Sequence, residues 1–379
     1  SLDDCSPDDL YVLYTGGTTG MPKGVLWRNA DFFVGALGGS NRREKREYES
    51  YEEISAVASR GTLRWMTSAP FMHGAAQWVA LQALSMGHTL VLPDVVDRYD
   101  ASTVLQACER ERVEFLQIVG DAFARPLIDA LGPQSPAPSS LRSIISGGAV
   151  LNAELKNELK ERFGGVTIRD SIGSSETGVQ GSNISGKDEP SSTGDFEPAP
   201  GTTVVNNQMD AVLEAGSKEI GWIAMSGRVP LGYLGDEEKT QLTFPVIDDV
   251  RLSIPGDRAQ RLPDGRIQVL GRDSATINSG GEKIFAEEVE NVVKTHPDIY
   301  DTVVCGRSSA RWGSEVVAIV QLIAGAQLRE ADIMQHCEKH IARYKWPKAV
   351  IQVDKIQRSP AGKPDYRWAK TIAEELRVD

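Results

Sequence analysis

Between residue 63 and about residue 170 the chain alternates short apolar runs with longer stretches whose apolar residues recur every three or four positions. The runs at 64–68, 89–92, 115–118, 143–146 and 166–169 have the length of buried strands. The patterns at about 75–86, 100–112, 121–131 and 152–163 are those of one-sided helices. This alternation predicts an α/β fold with βαβ units and a mainly parallel sheet. Ligands of such sheets bind beyond the carboxyl ends of the strands, which directs attention to the loops at 70–74, 146–151 and 170–178.

Outside that region the texture differs. Residues 10–14 (LYVLY) and 24–27 read as short strands, and Asn29 as the N-cap of a helix reaching about Leu37. The mixed-charge run at 42–51 (RREKREYESY) reads as a solvated helix or a mobile insertion, because its signs largely cancel. Residues 191–201 (SSTGDFEPAPG) form a Pro- and Gly-rich linker, and the segments at 219–225 and 266–270 predict a small, mostly antiparallel β-subdomain. A further boundary at 272–283 (RDSATINSGGEK) precedes a helix at 286–294, strands near 302–305 and 316–322, and helices near 329–342 and 365–377. That is enough for a small separate α+β C-terminal domain. The expected organisation is a large domain at 1–271, with a βαβ layer to about 190 and a β-subdomain at about 200–271, followed by a domain at 272–379.

Composition narrows the class. The 379 residues are 40% hydrophobic and 25% charged, ordinary for a globular protein, and no run of about 18 apolar residues predicts a membrane span. The start lacks a signal peptide's basic and apolar regions, and Cys5, Cys108, Cys305 and Cys337 have neither metal nor disulfide spacing. Both features predict a reducing, cytoplasmic setting. A net charge of −12 argues against nucleic-acid binding. His336 and His340 are four apart, but the intervening residues do not make HExxH, so they read as surface residues rather than a zinc site.

The densest candidate chemistry lies at residues 14–24, YTGGTTGMPKG, directly after the first apolar run. Glycines there let backbone N–H groups converge on one concavity, while Thr15, Thr18, Thr19 and Lys23 add donors, so the loop reads as a phosphate cradle. It is not the P-loop of ATPases, whose lysine directly follows a glycine and precedes Ser or Thr. Glu176, in DSIGSSETG, offers the hard carboxylate oxygen that a Mg²⁺ ion on ATP phosphates requires. Asp257 can accept from both hydroxyls of a ribose and Arg272 can donate to the same sugar. Gly256-Asp257, followed by Asp264-Gly265 and Gly271-Arg272, is preferred over Thr193-Gly194-Asp195, a decoy with nothing suitable after it.

Together these motifs resemble those of the adenylate-forming superfamily of acyl-CoA synthetases, peptide-synthetase adenylation domains and luciferases. The loop is similar to YTSGTTGxPKG, with Gly16 in place of the serine. The resemblance implies ATP contacts from Thr15, Gly16, Gly17, Thr18, Thr19, Gly20, Lys23, Gly147, Gly148, Ala149, Asp170, Ser171, Ile172, Gly173, Ser175, Asp257 and Arg272. In the YGxTE-like segment Ile172 stands where an aromatic often stacks on adenine, which implies an apolar face without a ring. It also implies an acyl pocket bordered by His73, Trp78, Gly147 and Gly148, and Mg²⁺ on Glu176. Lys363 enters from the small domain to stabilise the adenylation transition state. A hinge near 272–275 then swings the Gly280-Gly281 face in for the thiol step. Ser274 and Ala275 stand where the family generally has acidic or basic residues.

The implied reaction is ATP- and Mg²⁺-dependent conversion of a hydrophobic carboxylic acid to acyl-AMP, then thioester formation with coenzyme A. The SGGEKIFAEEVE and RYKWPK segments, together with the apolar stretch after His73, point to fatty or other large acids. Two rivals remain open: a ligase that loads a carrier protein, and an inactive nucleotide-binding fragment or scaffold. Superfamily members usually carry well over a hundred residues before the phosphate loop and this chain carries thirteen. It is therefore expected to lack the N-terminal part of the large domain and to need it.

Overall fold

A computed structural model of the chain describes residues 6–15, 22–41, 44, 46–132 and 136–376. The described residues fall into two compact units that interleave along the sequence. One comprises 1–255, 260–268 and 360–362; the other comprises 256–259, 269–359 and 363–379. The passage between them is thus shared by several short segments, where the sequence predicts one cut at 271/272.

The first unit is built on a parallel sheet. Thr89–Val91, Arg64–Thr67, Phe115–Ile118, Ser143–Gly147 and Thr167–Ser174 lie side by side in that order, all parallel. Strands covered on both faces need continuous apolar runs, and Met66, Leu116, Ile118, Ile144 and Ile168 are fully buried. The crossover helices supply the cover. On Ala101–Arg110, Ala101, Val104, Ala107 and Cys108 recur at helical spacing and face the core, and Gly120–Leu131 and Ala153–Arg162 do the same with Leu127 and Leu159. Cys108 is one of three described cysteines, all free and buried; burial pushes its thiol up to about 12.

Three features differ from the sequence expectation. The last parallel strand runs on to Ser174 and turns back as the antiparallel strand Gly178–Ser185, so Asp170, Ser171, Ile172 and Gly173 stand on a strand, and only Ser175–Thr177 form the turn. The linker at 191–201 is stitched into the sheet: Asp195–Pro198 pairs with both Gly178–Ser185 and Ile267–Arg272, while Thr193 Oγ1 accepts from the N–H of Ala153. The charged run is largely non-helical where described, only Tyr51 entering the helix Tyr51–Ala58. Ser40–Asn41 pairs with Arg46–Glu47, Arg46 reaches Glu44 at 2.8 Å and Glu53 at 2.5 Å, and Arg228 reaches Glu47 at 2.7 Å. Arg42, Arg43 and Lys45 lie outside the described residues. Asn29 opens its helix rather than capping it; Arg28 holds the N-cap position without a side-chain bond.

An antiparallel extension of the parallel sheet and a separate three-stranded sheet complete the first unit. Thr202–Val205, Gly221–Ser226, Val250–Ser253 and Val246–Ile247 pair antiparallel. Leu10–Thr15, Lys23–Arg28 and the two-residue strand Gly232–Tyr233 form a three-stranded antiparallel sheet. Its inner side packs Leu13, Val25 and Trp27 with Phe32, Trp78, Tyr233 and Phe244. Leu10, Val12 and Tyr14 alternate onto its exposed side.

The second unit has its own core. Ile299–Ser309 pairs antiparallel with Gly313–Leu322, which pairs in parallel with Ala349–Gln352. Ala286–Lys294 and Glu330–Glu338 pack with one cluster of buried residues, and Tyr366–Glu375 with another.

Candidate active site

Gly16, Gly17, Thr18, Thr19 and Gly20 of the expected phosphate loop lie outside the described residues, but the strands on either side are paired. Thr15 and Lys23 face each other in the antiparallel pair. Lys23 Nζ sits 2.5 Å from a carboxylate oxygen of Asp236 and 5.5 Å from the ring centre of Tyr233. Lys23 holds the Asp236 carboxyl below the usual range, and Asp236 also accepts from Lys239 N–H to cap Glu237–Thr243.

Tyr233 carries the geometry onward, since its hydroxyl donates to Glu176 Oε1 at 2.8 Å. Glu176 is held from its backbone as well. Its carbonyl accepts from Ser253 Oγ at 2.7 Å, its N–H donates to Ser174 Oγ, and Trp27 Nε1 donates to the carbonyl of Ser175 at 2.8 Å. A Cβ on Gly173 would lie 2.2 Å from the carbonyl oxygen of Gly178, so only glycine lets this hairpin close. Lys23, Glu176, Tyr233 and Asp236 therefore form one cluster drawn from three stretches of sequence. Sequence reasoning missed Tyr233 and Asp236. Two residues of strand give no periodicity, and the only signal was Gly-Tyr followed by an acidic helix start.

A second group lines the carboxyl ends of the parallel strands. His73 caps Gly74–Ser85, its Nδ1 accepting from Ala75 N–H, so its ring has a structural duty as well as its place beside the strand end. Gly148, at φ +95°, lies against that ring: a Cβ there would be 2.7 Å from His73 Cε1. Gly147 pairs with Ser171, and Gly74 approaches Ser175 Oγ. Ala149 packs on the sheet core.

Two expected contacts have other occupations. The Asp170 carboxylate is buried 2.6 Å from Lys156 Nζ, and Lys156 also donates to the carbonyl of Ser192. Burial raises the Asp170 pKa, with Lys156 opposing. Trp78 is buried edge-on to Phe32 in the core of the three-stranded sheet, which leaves little of its surface for a ligand.

In the second unit Arg272 Nε meets Asp257 Oδ1 at 2.8 Å. Glu287 packs beside this pair, its Oε2 2.4 Å from where a Cβ on Gly271 would stand. Burial, then Glu290 and Asp257, push its carboxyl up to about 8. Gly280 and Gly281, at φ +60° and +90°, turn the hairpin Ile277–Ser279/Glu282–Ile284 and are exposed. Ser274 and Ala275 lie in the single turn Asp273–Ala275. Lys363 is half-buried, with its N–H donating to Ser359 Oγ and its carbonyl accepting from Ser359 N–H. His336 is also half-buried rather than on the surface, bonded to Thr295 Oγ1 and the carbonyl of Val292. Among the described residues no group of three His, Cys, Asp or Glu can hold a metal, and no helix is long and apolar enough to cross a membrane.

Comparison with known proteins places this arrangement. The AMP-binding enzyme family matches residues 2–234 and the AMP-binding enzyme C-terminal domain matches residues 288–363. A medium-chain acyl-CoA ligase, Mig, of Mycobacterium avium is 48% identical over 97% of this chain and 67% of its own length. A medium/long-chain-fatty-acid and 3-oxocholest-4-en-26-oate CoA ligase of Mycolicibacterium smegmatis is 41% identical over 99% of this chain and 68% of its own. Among solved structures, ATP-bound MatB from Rhodopseudomonas palustris superposes with a TM-score of 0.78 at 26% identity, covering 98% of this chain and 70% of that one. The chain spans about two thirds of the length of these relatives. It belongs to the AMP-binding enzyme family of adenylate-forming proteins, as an acyl-CoA synthetase.

Proposed function

We propose that the protein activates a medium- or long-chain hydrophobic carboxylic acid with ATP and transfers it to coenzyme A. The observation that carries this reading is the cluster of Lys23, Tyr233, Asp236 and Glu176 beside the phosphate loop. A carboxylate is a poor acyl donor because oxide is a poor leaving group. In the first step a carboxylate oxygen attacks the α-phosphorus, the bond to the bridging oxygen breaks, and pyrophosphate leaves. In the second the thiol of coenzyme A loses its proton to solvent, the thiolate attacks the acyl carbon, the bond from that carbon to the phosphate oxygen breaks, and AMP leaves. The protein's part is positioning and charge stabilisation.

In this reading Thr15, Thr18, Thr19 and Lys23 take the outer phosphates, Lys23 exchanging Asp236 for them. Asp257 and Arg272 take the ribose, and Lys363 offsets charge on the carboxylate and α-phosphate. Gly280 and Gly281 serve the thiol step. His73, Gly147 and Gly148 edge the acyl pocket, with Trp78 behind them. One carboxylate, Glu176, suits a Mg²⁺ ion that keeps most of its waters and phosphate ligands. When bound, that ion neutralises phosphate charge. Glu176 itself is held for the task by Tyr233.

The relatives are longer by about half, and Leu10, Val12 and Tyr14 present an exposed apolar face. The test is release of AMP and formation of acyl-CoA from ATP, Mg²⁺, coenzyme A and straight-chain acids of graded length. It is run with this chain and with one extended to the relatives' length. Expected is turnover that rises with chain length and a Glu176→Gln variant that needs several-fold more Mg²⁺. No acyl-CoA from any acid with the extended chain sinks the proposal. Preference for a holo-carrier protein over coenzyme A redirects it to the carrier-loading alternative.

A further inference from the structure

Lys363 stands in a short segment whose two ends are pinned within the second unit. Residues 358 and 364 form an antiparallel bridge, and Ser359 and Lys363 exchange two hydrogen bonds across the turn, N–H to carbonyl at 2.9 Å and N–H to Oγ at 3.2 Å. Beyond the turn Asp365 caps Tyr366–Glu375 through the N–H groups of Arg367 and Trp368. Before it Ile356 N–H donates to Gln321 Oε1.

The firmest anchor is Arg358. Its guanidinium forks onto Asp301, Nε to Oδ2 at 2.7 Å and Nη2 to Oδ1 at 2.6 Å, and both side chains are nearly buried. Lys294 Nζ lies 3.6 Å from the same carboxylate, and the buried Glu290 accepts from Val304 N–H, burial raising its pKa with Lys294 opposing. Burial pushes the Asp301 carboxyl up, but Lys294 and Arg358 outweigh it and hold the group below its usual range. A forked, desolvated Arg–carboxylate pair fixes direction as well as distance, which a single lysine contact does not. Asp301 sits near the start of Ile299–Ser309, an edge strand paired along its length with Gly313–Leu322, so the fork ties the lysine's turn to the unit's sheet.

We infer that Arg358 and Asp301 are positioning residues that set the aim of Lys363 by fixing the base of its turn. This rests on the role proposed above for Lys363 in acyl-adenylate formation, and it predicts a selective defect. Arg358→Lys keeps the charge and loses the fork. In the extended enzyme it should lower kcat for ATP–pyrophosphate exchange about tenfold while leaving KM for ATP and thioester formation from supplied acyl-adenylate within about twofold. Ser359→Ala, which removes one clamp without touching a buried charge, should do the same more weakly. Neither variant should reduce exchange further in a Lys363→Ala background, because the effect runs through that lysine. Equal losses in both half-reactions, or an additive double variant, overturn the positioning role and leave the proposed reaction standing. Full exchange activity in Lys363→Ala overturns the role of the lysine itself and the positioning claim with it.

Discussion

At the scale of single residues the informative cases are those whose chemistry was visible but whose partner was not. Asp170 lies in the segment that resembles a nucleotide motif, yet its carboxylate faces inward onto Lys156. A strand alternates its side chains between faces, and extension of this strand through Ser174 decides which face Asp170 takes. Removing one member of a buried pair leaves an uncompensated charge, so Lys156→Met should destabilise the first unit by about 3–5 kcal/mol, read as a fall in urea midpoint at unchanged m-value. Lys156→Met with Asp170→Leu should recover most of that. Tyr233 and Asp236 were illegible for a different reason: a contact spanning 57 or 213 residues leaves no local pattern.

At the scale of elements the sequence was a good guide wherever burial imposed a period. Phe115–Ile118 and Ala286–Lys294 occupy the residues their patterns mark out, and the other parallel strands and crossover helices differ mainly at their ends. The failures fall where side chains outvote propensity. In the charged run Arg46–Glu47 pairs with Ser40–Asn41 while Arg46 and Arg228 hold acidic neighbours, and within the Pro- and Gly-rich stretch Asp195–Pro198 becomes an interior strand with a partner on each side. Loop function is legible only in part: GGA marks a turn, but that Gly148 leaves room for the His73 ring needs coordinates. Gly148→Ala puts a methyl group 2.7 Å from that ring, at a φ of +95°. It should raise KM for the acid severalfold and cost about 1–3 kcal/mol of stability, measured by steady-state kinetics and thermal melting.

At the scale of the whole molecule the chain has two cores, and each unit answers to solution conditions through its own buried groups. Glu287 gives the second unit a pH dependence with a definite sign. Its carboxyl titrates at about 8 in the fold, above the unfolded value, so the folded form holds a proton that the unfolded form has lost. Stability from this group is fully present below about pH 4.5 and is lost as pH rises through about 8. Glu287→Gln should therefore raise the melting temperature of the second unit at pH 8.5 and leave it nearly unchanged at pH 4, as followed by calorimetry. The three-stranded sheet has a consequence in time. Gly232–Tyr233 pairs with Lys23–Arg28 across some two hundred residues, and the ion pair of Lys23 with Asp236 spans 213. Closing so long a loop is entropically slow, and nothing rewards it until the intervening sheet has folded. On a ribosome, Lys23 would thus wait for most of the unit to be synthesised before meeting its partners Tyr233 and Asp236.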